Sequence, residues 1–476
     1  MTQFQLLDPS HPRTFSDLAE TISGRDMANR VTLVKDRLRD MGLIGAQLCV
    51  PIDAGLGAVA VFLAAIESGG RTVLVARPLA NETPDWPAFC DAVVIPPLPG
   101  AAPESLQILP LNRATKAVAD HAGQILVKSS GTTGTPKWIV MRTENAIRNS
   151  QAAAERLQMT AADRVMVPVS IHHSYGISAA FLPAVLVGAS IHVVARGNPL
   201  TIFQAQRSFE PTAMFLVPSQ CRSIMALGRK AGRLRLVVVA GDRLSPAEAA
   251  LFEEAHGPVV NLYGSSEMGV ISCAFLADPP AIRHVAAGAL VHGGQLAIED
   301  DSNPDPSAEG ARLMRLVTAN GFDGYADPIT GEVMAPAPAI WSTGDLVRLY
   351  DAPPDAPDAS PRIEVMGRND HAVNRDGLLV HFGQIEGCLA TARGVALSAV
   401  VGAGQSRRGV GLTAFCTLTR PGVATMDEIL DHCRAILAPR AVPDVLHLLA
   451  EMPMLQSGKL DRRRLLEMAK ELAVAS

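Results

Sequence analysis

Residues 125–140 read ILVKSSGTTGTPKWIV: five hydroxyl side chains and two glycines lie between apolar runs, closed by Pro136 and Lys137. Gly131 and Gly134 let the backbone adopt conformations other residues resist and let another group approach closely. Ser129, Ser130, Thr132, Thr133 and Thr135 add donors beside the backbone amides, and Lys137 supplies one fixed cation. That chemistry suits a phosphate. The common phosphate loop, GxxxxGKS or GxxxxGKT, places Lys directly after its second glycine and then a hydroxyl for the metal. Here Thr135 and Pro136 separate Gly134 from Lys137, and Trp138 follows, which removes the main support for a kinase or GTPase loop. A Ser/Gly-rich surface turn has the same composition, so the rest of the chain has to decide.

The loop leaves an apolar run, and such runs recur. AQLCVPI, TVLVA, AVVIPP, ILVKSS, VMVPV, SIHVVA, AMFLVPS, LRLVVVAG and VVNLYG read as buried strands of mostly parallel sheets, with helical patterns between many of them. TFSDLAETISGRDMANRVTLVKDRLRDMG reads as one of the intervening helices. In such layers ligands bind where loops leave the carboxyl ends of strands. The hydroxyl-rich loop after ILVK, Gly241 after LVVVA and Gly264 after VVNLY occupy such ends. Past about residue 285 the strands shorten, and EDDSNPDPSAEG and YDAPPDAPDASP read as hairpin loops. A last block, beginning near residue 370, carries strands SAVVGA and LTAFCTL, the helix MDEILDHCRAIL, a strand near VLHLLA and a terminal helix. At roughly 100 residues it is domain-sized. GAGQSRRGVG reads as a turn, because its glycines do not fit the dinucleotide fingerprint.

At 476 residues the chain exceeds the usual single domain, so at least two are expected. With 48% hydrophobic and 19% charged residues the composition is globular, not disordered or fibrous. A net charge of −5 argues against a nucleic-acid partner, which is gathered by clustered Lys and Arg. The N-terminus, MTQFQLLDPSHPRTF, lacks a basic n-region and an apolar h-region. The longest apolar candidate, AVAVFLAAIESGG, is interrupted by Glu67 and falls short of the roughly 20 residues a membrane helix needs. The expectation is a soluble, cytoplasmic protein with no membrane span. Seven scattered cysteines without a CxxC pair read as reduced, mostly buried thiols, not as a metal or disulfide framework.

Six further stretches follow in order: IHHSYG (171–176), VAGDRLS (239–245), NLYGSSE (261–267), WSTGDLVRL (341–349), GRNDHAVNRDGLLVHFGQIE (367–386) and PMLQSGKLDRRRL (453–465). Together with the loop they resemble the successive core motifs of the adenylate-forming superfamily, which contains acyl- and aryl-CoA synthetases, the adenylation domains of nonribosomal peptide synthetases, and luciferases. The resemblance runs over nearly the whole chain, and the joint order and spacing carry its specificity. It implies an α/β protein with a large N-terminal domain, residues 1–369, of mostly parallel sheets flanked by helices plus a small β-barrel-like subdomain. A small mobile α+β C-terminal domain, residues 370–476, follows, with a hinge near Asp370. It also implies two steps: a carboxylate attacks the α-phosphate of ATP to give an acyl-adenylate and pyrophosphate, then an acceptor displaces AMP. The cofactors implied are ATP and Mg2+. The partners implied are a small-molecule carboxylic acid and, as acceptor, CoA or the phosphopantetheine of an acyl carrier protein.

By this resemblance Ser130, Thr132, Thr133, Gly134 and Lys137 hold the departing phosphates. Tyr263 packs on adenine, in a pocket with Gly241, Asp242 and Gly264. Ser266 stands where relatives carry Thr at the α-phosphate, and Glu267 is the Mg2+ carboxylate. Asp345 binds the ribose hydroxyls, and Arg368 reaches ribose or phosphate. Lys459 is the principal catalytic candidate, bridging the attacking carboxylate and ATP; an isolated SGK would read as a solvated lysine. Lys137 and His173 are the other catalytic candidates. Rotation about Asp370 would withdraw Lys459 and present the loop around Gly377 to the acceptor thiol.

Three departures stand out. Trp138 replaces a glycine, which puts bulk beside the phosphate loop; Asn374 replaces a lysine linked in some relatives to the second step; Gln384 replaces the first of two carboxylates, leaving Glu386. His173 falls where CoA-ligase relatives carry a histidine or aromatic at the acid pocket, while His172 reads as a packed or exposed histidine. Peptide-synthetase domains place an Asp here for an α-ammonium, and HHSYGIS has none. An unpaired ammonium is expensive to bury, so fatty or aromatic acids rank above amino acids. The leading expectation is an AMP-forming acid–thiol ligase acting on CoA, the alternative an acyl-AMP ligase loading a carrier protein. The joint presence of Lys137, Glu267, Asp345, Arg368 and Lys459 disfavours a non-catalytic nucleotide-binding relative.

Overall fold

The computed structural model describes residues 5–53, 55–78, 81–111, 123–128, 137–194, 197–228, 233–297, 312–317, 321–368, 371–375, 378–455 and 459–475. Ser130, Thr132, Thr133, Gly134, Asp370 and Gly377 lie outside this set, as do the stretch EDDSNPDPSAEG and the side chain of Asn374. Contacts divide the chain into two compact units. One comprises Met1–Gln295, Val317–Trp341 and Ala352–Arg362, the other Leu296–Leu316, Ser342–Asp351 and Ile363–Ser476.

The first unit holds two sheets. In the larger, the strands Val259–Ser265, Leu236–Val239, Ala213–Leu216, Arg164–Val167, Ser190–Val193 and Thr14–Ser16 lie side by side and parallel, with antiparallel strands added at both margins. In the other, Gln124–Lys128, Arg71–Ala76, Gln47–Ile52 and Ala92–Ile95 form the parallel centre. The reason is in the composition: LVVV at 236–239 and QLCVPI at 47–52 are buried throughout, as strands covered on both faces must be. Helix Leu56–Glu67 is buried along almost its entire length, which makes AVAVFLAAIE a core helix. Among the described residues no helix is long and apolar enough to cross a membrane. All seven cysteines are buried with free thiols.

One expectation changes. The stretch from Thr14 is not one helix: Thr14–Ser16 and Thr21–Ser23 form a hairpin, and the first of these also pairs with Ser190–Val193. The helix begins at Gly24, because Ser23 and Asp26 close a reciprocal capping box on each other's backbone N–H. Trp138, one of the three departures, turns its side chain into the core, while residues 129–136 of the loop lie outside the described set. Its ring is 4% exposed and stands edge-on to Phe89, centroids 6.0 Å apart, in a cluster with Cys49, Val73, Leu126 and Val140. The sheet is apolar on that side, and the core takes the indole.

A buried ion pair staples the far end of the unit. Arg362 forks onto Asp278 through Nε and Nη2, at 2.8 and 3.0 Å, with both side chains at 0% exposure. Its Nη1 donates to Asp358 at 2.8 Å, and its guanidinium lies 4.7 Å from the Phe275 ring centre. Arg156 lies 3.8 Å from the centre of the same ring. Asp358 belongs to YDAPPDAPDASP, which joins two neighbouring strands, Ile340–Tyr350 and Arg362–Arg368, as a hairpin loop would.

The second unit contains the three-stranded sheet ordered Arg312–Val317, Ile340–Tyr350, Arg362–Arg368, and a five-stranded sheet. Strands Val395–Ser406 and Gly409–Leu418 form the latter's long hairpin, with GAGQSRRGVG at its tip as read from sequence. Alternation sorts their residues to two faces. Val400, Leu412, Ala414 and Cys416 pack with Ile385, Leu389, Ile429 and Cys433, while Ala399, Val401 and Phe415 pack with Met452, Leu465 and Ala469.

Candidate functional site

Three parallel strands of the larger sheet, and the loop after a fourth, deliver the site of the first unit. After Arg164–Val167 the chain passes His172 and His173 and enters a π-helical segment, Tyr175–Phe181. Gly176 is obligatory there: a Cβ would stand 2.1 Å from the Ser170 carbonyl oxygen. The Tyr175 hydroxyl sits 3.2 Å from Leu216 O and 3.0 Å from Val238 O, tying the histidine loop to the carboxyl ends of two strands. Ser174 Oγ donates to Ser265 O at 3.0 Å, joining it to a third. His172 shares a hydrogen bond with Ser170 Oγ, and its ring lies 4.0 Å from that of His173. Burial, and secondarily His173, pushes His172 down to about 3, so it is a neutral imidazole at neutral pH. His173 is half-buried, its carbonyl accepting from Ile177 N–H at 3.0 Å.

At the end of the next strand Gly241 takes φ +92°, and exposed Asp242 accepts from Arg243 N–H at 2.8 Å. Strand Val259–Ser265 then pairs with Gly269–Cys273 across a register shift between Tyr263 and Gly264. Such bulges re-aim side chains beside active sites. Gly264 is needed here, since a Cβ would come 2.3 Å from Gly269 O. Tyr263 is half-buried opposite Ser272, and the turn beyond carries Ser266 and Glu267, braced by Met268 N–H donating to Ser265 Oγ at 3.1 Å.

In the second sheet Gln124–Lys128 and Trp138–Arg142 pair antiparallel with Lys128 opposite Trp138. The hydroxyl-rich loop is therefore the connection of a hairpin, and Lys137 is the first described residue after it. The Lys137 ammonium lies 4.9 Å from the centre of the Tyr325 ring, and Tyr325 Oη donates to Glu267 Oε1 at 3.1 Å. Two residues assigned from sequence thus converge on a tyrosine that sequence reading missed. Phe322 stands edge-on to the rings of Tyr325 and Trp341, at 5.2 and 5.7 Å. The only register that could have pointed to Tyr325 is its pairing with Ile139, two residues past Lys137, and that is not visible in local periodicity.

Among the described residues no cluster of three or more His, Cys, Asp or Glu could cage a metal. The Glu267 carboxylate accepts from Tyr325 through Oε1, and no hydrogen bond to its Oε2 is found among the described residues. That fits Mg2+, which takes one or two carboxylates and completes its shell with substrate phosphates and water.

In the second unit Asp345 and Arg368 come together, Asp345 Oδ1 and Arg368 Nη1 standing 4.0 Å apart. Thr343 organises them. Its Oγ1 donates to Met314 O at 3.2 Å and accepts from Asp345 N–H at 3.0 Å, and its carbonyl accepts from Arg368 at 3.3 Å. Gly344, at φ +76°, leaves room for the guanidinium, which a Cβ would meet at 2.8 Å. Lys459 sits in a small hairpin: its carbonyl accepts from Leu455 N–H at 2.8 Å, and Leu460 bridges Met454. Glu386 has a scaffolding task, forking onto Arg462 at 2.7 and 2.9 Å and accepting from Val400 N–H at 2.7 Å.

Residues 47–315 match the family described as AMP-binding enzyme, and residues 384–459 match the AMP-binding enzyme C-terminal domain. The 2-succinylbenzoate–CoA ligase of Enterococcus faecalis is 23% identical over 349 residues, covering 73% of this chain and 70% of that protein. The salicyl-AMP ligase / salicyl-S-ArCP synthetase of Mycobacterium tuberculosis is 26% identical over 364 residues, covering 74% of this chain and 62% of its own. ATP-bound MatB from Rhodopseudomonas palustris has the same fold, with a TM-score of 0.78 at 17% identity over 97% of both chains.

Proposed function

The chain belongs to the AMP-binding enzyme family, and on that premise we propose that it activates a carboxylic acid with ATP and passes the acyl group to a thiol. The observation that carries this reading is the convergence of Lys137 and Glu267 on Tyr325, at the exit of a hydroxyl-rich loop. A cation and a metal-competent carboxylate held together suit a polyphosphate. In the first step a carboxylate oxygen bonds to the α-phosphorus and pyrophosphate departs; in the second a thiolate sulfur bonds to the acyl carbon and AMP departs. Ser130, Thr132, Thr133, Gly134 and Lys137 hold the phosphates, Tyr263, Gly241, Asp242 and Gly264 the adenine, Ser266 the α-phosphate, and Lys459 the attacking carboxylate. Mg2+ bound at Glu267 supplies Lewis-acid neutralisation of phosphate charge. Residues 370–476 turn about a hinge near Asp370 so that the loop at Gly377 serves the thiol step.

Asp345 takes the ribose hydroxyls, with Arg368 beside it. Hydrogen bonds to a charged group contribute about 1.5–3 kcal/mol each. Asp345→Ala is therefore expected to weaken ATP and AMP binding roughly ten- to a hundredfold by calorimetry; an unchanged titration removes the ribose assignment.

The acid is fatty or aromatic. His172 is neutral and the HHSYGIS loop offers no carboxylate, so an α-ammonium would find no partner there. The acceptor is CoA, with a carrier-protein thiol as the alternative; the two relatives' names divide the same way. The test is pyrophosphate release over a panel of fatty, aromatic and amino acids, followed by CoA against phosphopantetheinylated carrier proteins. Release with an aromatic or fatty acid and thioester formation on CoA are expected. Release confined to amino acids overturns the substrate class, and thioester on carrier protein alone overturns the acceptor.

A further inference from the structure

Tyr325 has no assigned role in the reaction proposed above, yet its side chain touches both the loop cation and the candidate metal carboxylate. Its hydroxyl has a fixed polarity. A carboxylate can only accept, so the phenolic hydrogen goes to Glu267 Oε1. The ring is held by the edge of Phe322, which also abuts Trp341. Its face is presented to the Lys137 ammonium at 4.9 Å, within the range of a cation–π contact.

We propose that Tyr325 is a positioning residue of the phosphate site, seating Lys137 with its ring and orienting Glu267 with its hydroxyl so that Oε2 is directed to the metal. The two functions are chemically separable. Tyr325→Phe keeps the ring and removes the hydroxyl; Tyr325→Leu removes both. The cation contact acts on ATP whether or not a divalent ion is present, while the carboxylate contact acts only through the ion.

This inference rests on the proposed function, and the experiment separates the two. ATP binding is measured by calorimetry on the full chain with Mg2+ and with EDTA, together with the Mg2+ concentration giving half-saturation and a thermal melt for each variant. Tyr325→Phe is expected to bind ATP in EDTA within about twofold of the wild type and to need roughly five- to tenfold more Mg2+. Tyr325→Leu should also weaken binding in EDTA several-fold. A Tyr325→Phe midpoint equal to wild type, or Phe and Leu variants equal in EDTA, overturns the assignment. A wild-type chain that binds no ATP overturns the proposed function and this assignment with it.

Discussion

Lys459→Ala is expected to slow carboxylate-dependent pyrophosphate release by on the order of 10² to 10³ while leaving ATP affinity within a few fold. In the proposed first step two anions meet, and the charge that develops between the entering carboxylate and the α-phosphate needs a cation placed for that moment. A group that acts in the transition state lowers the rate when it is lost, and not ground-state affinity. The substitution leaves its surroundings intact. The hairpin is held through the Lys459 carbonyl, which accepts from Leu455 N–H, and through Leu460, which packs against the cluster around Phe415 and Leu465. The residues proposed to bind nucleotide, Lys137, Glu267, Asp345 and Arg368, are unchanged in this variant. Stopped-flow or coupled pyrophosphate assays, set beside calorimetric titration with ATP, read the two quantities separately. Adenylate formation at the wild-type rate removes Lys459 from the chemistry; an equal loss in affinity and rate makes it a binding residue.

Arg362→Met should destabilise the first unit by about 3–5 kcal/mol. The guanidinium is completely enclosed, and its partner Asp278 is equally so; truncating the cation leaves a carboxylate in the interior with no counter-charge. A long apolar replacement fills much of the volume, so the expected loss is electrostatic. The paired variant Arg362→Met with Asp278→Leu should recover most of it, because a buried pair replaced on both sides by apolar groups is often neutral or better. Urea unfolding of the two single variants and the double variant closes the cycle. A single variant within about 1 kcal/mol of the wild type would mean that water or the Arg156 guanidinium, on the same Phe275 ring, compensates the Asp278 carboxylate.

Order and spacing of short motifs carried most of the fold and the placement of Asp345 beside Arg368, because each motif marks a strand end that the sheet then brings into line. Boundaries were less legible. A helical pattern from Thr14 gave way to a hairpin because pairing with Ser190–Val193 is a contact across the whole sheet, while the cap at Ser23 fixed where the helix could start. Tyr325 was invisible, since its partners Lys137 and Glu267 come from two other segments and neither stands at a helical or strand spacing from it.

The packing of Trp341 and Tyr325 on one Phe322 ring has an optical consequence. The chain contains only three tryptophans, and Trp138 is sealed in the core against Phe89. The indole of Trp341 shares the Phe322 ring with the side chain that contacts both Lys137 and Glu267, so a change in charge at either residue perturbs the polarity its excited state experiences. The protein thus carries an intrinsic fluorophore wired to its proposed phosphate subsite, with no label required.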